Sequence, residues 1–181
     1  MNAIALLEKY FPGMDAFQII LEHSRLVATK ALQTARNLDY PGVDLNFLEE
    51  AALLHDIGVC RTAAPRFHCH GNEPYIRHGV IGREILEGEG LPRHALVCER
   101  HIGVGLTVAD IRSQRLPLPK EEMIPLSLEE RIVCFADLFY SKSPEKHGKE
   151  KTIAEVKTAL GKFGAQKVMI FEGWLEEFKF V

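Results

Sequence analysis

The sequence predicts an all-α protein. Apolar residues recur at helical spacing along most of its 181 residues. Capping signals stand before several of these stretches. No Val/Ile/Thr-rich alternation is long enough to predict a sheet.

In chain order, Met1 to Phe11 reads as a short amphipathic helix. It carries Glu8 and lacks a basic leader region, which argues against a signal peptide. Pro12-Gly13 breaks the chain before a long helix from about Asp15 to Asn37, striped by Phe17, Ile20, Leu21, Val27, Ala28, Ala31 and Leu32. His23 lies at the edge of that stripe. After the turn Tyr40-Pro41-Gly42, Asp44 can cap a helix through Phe47, Leu48 and Ala51 to His55, and Gly58 suits its end. Residues 59–75 read as irregular, interrupted by Pro65, Gly71 and Pro74.

A helix resumes near Tyr75, with His78, Ile81, Ile85 and Leu86, and Gly88 and Gly90 close it. Pro92 suits the first turn of a short helix ending near His101. Gly103 and Gly105 open a long loop holding Pro117, Pro119 and Pro125. Ser127-Leu128-Glu129-Glu130 has the capping-box form and starts the helix carrying Asp137. A polar connector follows, Ser143 to Lys151. Thr152-Ile153-Ala154-Glu155 caps a further helix ending near Gly164. The last segment, Lys167 to Val181, holds Trp174, Phe178 and Phe180, which suit a packed terminal helix or a homodimer contact.

Composition bounds the function. Apolar residues at 46% and charged residues at 26% fit a globular protein, and the length suits one domain over 1–181. A net charge of −3 argues against general nucleic-acid binding. No apolar run reaches the roughly 18 to 20 residues that span a bilayer, so no membrane partner is expected. Cys60, Cys69, Cys98 and Cys134 fit no disulfide framework, which points to a reducing cytoplasm.

The chemistry concentrates in His23, His55-Asp56, His78, His101 and Asp137. The string Leu53-Leu54-His55-Asp56 sets an imidazole and a carboxylate at the end of an apolar run. Burying them there is costly unless something compensates. A divalent cation does so, since both groups are its natural ligands. Consecutive helical residues point about 100° apart. His55 and Asp56 can therefore share a metal only near the helix end. Cys60, His68, Cys69 and His70 fit no standard zinc spacing and read as a surface loop or lid. His94 and His147 read as ordinary histidines.

The order His … His-Asp … His … His … Asp, with Leu-Leu-His-Asp-Ile-Gly at its centre, resembles the HD-domain superfamily of metal-dependent phosphohydrolases, in the subgroup labelled HDIG. The resemblance covers about residues 20–142 and leaves 152–181 as a C-terminal helical extension. It implies an HD-type helical bundle with loops over a central metal site. It further implies one metal on His23, His55, Asp56 and Asp137, and a second on His78 and His101 with Asp56 bridging.

The metals would be iron, manganese, zinc, cobalt or nickel. Paired cations acidify a bridging water and bind phosphate oxygens, which implies hydrolysis of a phosphomonoester or phosphoanhydride, with a nucleotide as the expected substrate. Asp56, His78 and His101 would then be catalytic, and Arg61 and Lys142 would bind substrate. Val59 stands where HD-GYP-like members carry a lysine, which argues against a cyclic dinucleotide. The same ligands also fit a di-iron oxygenase resembling inositol oxygenase. A non-catalytic nucleotide-binding module is the third alternative, though such modules usually have eroded ligands.

Overall fold

Helices α2 (Ala16–Leu38) and α3 (Leu45–Leu54) form the centre of the fold. In α2 the residues Ile20, Val27 and Ala31 are fully buried, one helical turn or two apart. In α3 the residues Leu48, Ala51, Ala52 and Leu54 are equally buried. Asp44 caps α3 by accepting from the Phe47 amide at 3.0 Å. The computed structural model describes residues 1–13, 15–38, 40–143 and 148–180.

Around this pair lie α1 (Ala3–Tyr10), α4 (His78–Gly88), α5 (Pro92–Arg100) and α7 (Leu128–Asp137). A short α6 (Val108–Ser113) precedes α7, and α8 (Ile153–Gly161) and α9 (Ala165–Glu177) close the chain. The buried core runs from Ala3 to Phe178. Phe171 and Phe178 of the last segment pack on Phe135, with ring centroids 5.6 and 5.1 Å apart. The aromatic tail thus turns inward, while Phe163 and Met169 stay exposed. No helix among the described residues is long and apolar enough to cross a membrane.

Three local features depart from the sequence reading. Residues 59–75 hold a two-residue antiparallel ladder, β1 (Ala63–Ala64) with β2 (Cys69–His70). Strands this short carry no readable alternation. The long loop after Gly105 contains α6, closed by a complete capping box of Thr107 and Asp110. At α7 the capping box is only half formed. Ser127 Oγ accepts from the Glu130 amide at 3.1 Å, but the Glu130 carboxylate turns to the Leu126 amide and pairs with Arg100 at 3.0 Å.

A glycine seam places α4. A Cβ at Gly58 would overlap the His78 carbonyl and the Gly82 amide nitrogen. A Cβ at Gly79 would lie 2.7 Å from the Cys98 carbonyl oxygen, and one at Gly82 would lie 3.0 Å from the Cys98 Cβ. Without these side chains α4 lies directly on the turn after Asp56 and on α5. That approach brings the start of α4 and the end of α5 to one point.

Candidate metal centre

Five of the six predicted residues sit at or just beyond a helix end. His55 and His101 follow the last residues of α3 and α5, and Asp56 comes next after His55. His78 opens α4, and Asp137 ends α7. His23 alone comes from mid-helix, in α2. A helix end leaves carbonyls without intrahelical partners. Two imidazoles use carbonyls of this kind, Nδ1 of His55 donating to Ala52 O and Nδ1 of His101 to Cys98 O, while Nδ1 of His78 donates to Tyr75 O, which also accepts the His78 amide, each imidazole bond at 2.7 Å. The rings are thereby fixed, and each Nε2 faces the centre.

The centre divides on the two oxygens of Asp56. Oδ2 lies 3.0 Å from His55 Nε2 and 3.3 Å from His23 Nε2. Oδ1 lies 3.5 Å from His78 Nε2 and 3.7 Å from His101 Nε2. Asp137 Oδ1 joins the first group, 2.9 Å from His23 Nε2 and 3.6 Å from His55 Nε2. Lys142 Nζ lies 2.7 Å from Asp56 Oδ2. Asp56 and the four histidines are 5% exposed or less.

The electrostatics are those of a buried charge cluster. Burial alone would raise the carboxyl of Asp56, but His55 and Lys142 outweigh it and hold the group well below the usual carboxylate range. Asp137 is lowered in the same way, against burial, by Lys142, His23 and His55. Burial disfavours protonating His55, yet Asp56 and Asp137 raise it to about 10. Burial lowers His78, with Lys142 and His55 adding to the effect. Burial, His55 and His78 together lower His101 to about 3.

These values test whether the donors fit a metal. His78 and His101 are neutral, and each carries its proton on Nδ1. Their Nε2 lone pairs then face each other at 3.0 Å. Two lone pairs at that distance repel, and Asp56 Oδ1, which faces these two rings, has no hydrogen-bond donor. A cation among these atoms would remove both problems. Two overlapping donor sets have ligand atoms within 4.8 Å of one another: His23, His55 and Asp137, and His55, Asp56 and His101. The arrangement fits a divalent metal bound by imidazole and carboxylate.

The two predicted substrate-binding residues part company. Lys142 reaches Asp56, whereas the Arg61 side chain is exposed on the 3-10 turn Ile57–Arg61. The arginine that lines the polar cleft over the metal centre is Arg66, alongside Tyr75, Ser141, Lys142 and Ser143. Tyr75 also stacks on the His78 ring at 4.7 Å. The sequence carried a weak sign of Arg66, its place within the irregular 59–75 stretch next to Phe67. Cys60 and Cys69 are buried free thiols, and His68 and His70 are exposed. His94 faces Glu50 at 3.3 Å, and His147 lies outside the described residues.

Known proteins resemble this chain in sequence and in fold. The chain is 39% identical over 121 residues to an uncharacterized protein, MJ0778, of Methanocaldococcus jannaschii, covering 65% of this chain and 64% of that protein. It is 32% identical over 141 residues to a tRNA (cytidine(56)-2'-O)-methyltransferase of Thermoplasma volcanium, covering 77% of this chain but 36% of that protein. The chain therefore spans only part of these relatives. In fold it is similar to the HD domain of the phosphodiesterase PgpH from L. monocytogenes, solved in complex with cyclic-di-AMP. The TM-score is 0.54 at 16% identity, over 98% of this chain and 93% of that one. The HD domain family model matches residues 20–141, a span that contains all six of the clustered histidines and aspartates. The chain belongs to the HD-domain family.

Proposed function

We propose that the chain is a metal-dependent phosphohydrolase whose substrate is a nucleotide, cleaved at a phosphomonoester or phosphoanhydride bond. The observation that carries the reading is Asp56, whose two oxygens face two separate groups of ligands. His23, His55, Asp56 and Asp137 would hold one metal, and His78 and His101 would hold a second, shared through Asp56. When bound, such metals supply Lewis acidity toward phosphate oxygens and a water acidic enough to ionise near neutral pH.

The protein's own groups set the rest. The carbonyls of Ala52, Tyr75 and Cys98 fix three imidazoles, so ligand geometry would need little reorganisation on binding. Lys142 and Arg66 place positive charge on the cleft side of Asp137, where an anionic substrate would arrive. The Lys142 ammonium is kept charged: burial opposes this, but Asp56 outweighs it. It can therefore offset charge on a phosphoryl oxygen. The PgpH domain was solved with a nucleotide, and the HD family match covers the ligand set.

The test is phosphate release from p-nitrophenyl phosphate and a panel of nucleotides, with manganese, iron or cobalt added under anaerobic conditions. Metal-dependent release from at least one nucleotide is expected. Oxygen consumption by coloured, iron-loaded protein, with no phosphate release in any metal, would replace hydrolysis with the oxygenase alternative.

A further inference from the structure

Asp137 and Tyr140 border two cavities of opposite character. One is the polar cleft with Arg66 and Lys142. The other is a mostly apolar cavity of about 280 Å³. Its near wall comes from the loop after α5, with Ile102, Leu106 and Leu116. Its far wall comes from Val156 and Leu160 of α8 and from Phe163 just beyond. That far wall lies outside the span matched by the HD family model, which ends at residue 141.

The near wall is held from several sides. Leu106 and Met123 exchange backbone hydrogen bonds of 2.9 Å. Arg77 donates to Pro117 O at 3.0 Å, and Lys167 donates to Gly105 O at 2.8 Å. Leu106 and Leu116 also belong to a small apolar cluster with Ile111, Leu118 and Met123. A wall fixed in this way needs little ordering when a ligand arrives.

Most of the polar groups along the cavity are already engaged within the protein, while the exposed Gln114 also lines it. The Lys167 ammonium meets Gly105 O and Asp110 Oδ2, and Lys151 donates to Leu138 O. The Tyr140 hydroxyl donates to Glu150 at 3.0 Å. What remains toward the cavity is mainly hydrocarbon, beside a site built for an anion. A ligand that fills both sides is amphiphilic, with its charged end at Asp137 and an apolar body beyond it.

We propose that this cavity is the subsite for the nucleotide's base, formed by the C-terminal extension and the 102–116 loop, and that it reads the base by shape rather than by its hydrogen-bonding edge. This rests on the nucleotide reading above and makes it specific. A pocket that offers apolar surface discriminates weakly between rings of similar outline, whereas one built on hydrogen bonds discriminates strongly.

Ala159 is exposed at the rim of the cavity, so Ala159→Trp can fill it without disturbing the core. The probe is adenosine, which has no phosphate, titrated calorimetrically into protein treated with EDTA. Wild type should bind adenosine without metal, and Ala159→Trp should weaken binding by about tenfold or more. Inosine and guanosine should bind within about threefold of adenosine. No binding of adenosine, binding unchanged in Ala159→Trp, or a preference among the three purines above about tenfold would overturn the proposal. Because adenosine has nothing to hydrolyse, normal adenosine binding without phosphate release from any nucleotide would refute the hydrolase reading alone.

Discussion

Asp56→Asn is expected to lose metal binding at both halves of the centre and to lower phosphate release by a factor on the order of 10⁴, as when one member of a catalytic unit is removed. The substitution keeps the shape of the side chain and removes its charge. Each carboxylate oxygen faces a different ligand group, so one change affects both. The metal-free protein should also be less stable. Lys142 sits 2.7 Å from Asp56, and His55 is held protonated beside it. Without the carboxylate, two buried cations would share Asp137 alone. Breaking a buried ion pair by removing one partner costs about 3 to 5 kcal/mol. Thermal unfolding in EDTA should therefore show a lower Tm for Asp56→Asn. An unchanged Tm would mean that Asp56 does not balance these cations.

Gly58→Ala is the second large effect, although Gly58 bears no chemistry. Its added Cβ would strike backbone atoms of α4, the His78 carbonyl and the Gly82 amide nitrogen. Backbone cannot move aside as the end of a flexible side chain can. Overpacking of this kind costs about 3 kcal/mol, the upper end of the usual range. The helix that must shift is the one that opens with His78. Loss of stability should thus come with loss of metal from the His78–His101 side first. Helical content by circular dichroism should stay near wild type, because the helices' own sequences are unchanged. A Gly58→Ala protein with wild-type Tm and full metal content would show that the seam is not tight.

These two residues differ in how far they were legible. The six clustered histidines and aspartates could be picked out because their identities and order are chemical, and because imidazoles and carboxylates on apolar helices are costly without a partner. Gly58 could be read only as a glycine that suits a helix end. Its role here is space, since the backbone of α4 lies against it. That contact joins residues distant in sequence, which no local pattern reveals.

The same limit hid the apolar cavity. Its walls come from the loop after α5 and from α8, brought together by tertiary packing. Helix α6 was missed for a different reason. Six residues are too few for a helical period, and its capping box uses Asp110 where the commoner form has Glu. Arg61 and Arg66 could not be told apart by position, because the ladder and turns of 59–75 decide which one faces the cleft. That Lys142 lies near the cluster follows from its place little more than a helical turn beyond Asp137.

The most direct test of a centre divided on Asp56 is a count of metal per chain in wild type and in His78→Ala. Both proteins would be purified without added metal, titrated with manganese and measured by elemental analysis after removal of free ion. Wild type should hold two ions per chain. His78→Ala should hold one, kept by His23, His55, Asp56 and Asp137. Two ions in His78→Ala would show that His78 holds neither of them and would contradict the divided centre; one ion in wild type would contradict it too and make this a single-metal HD protein.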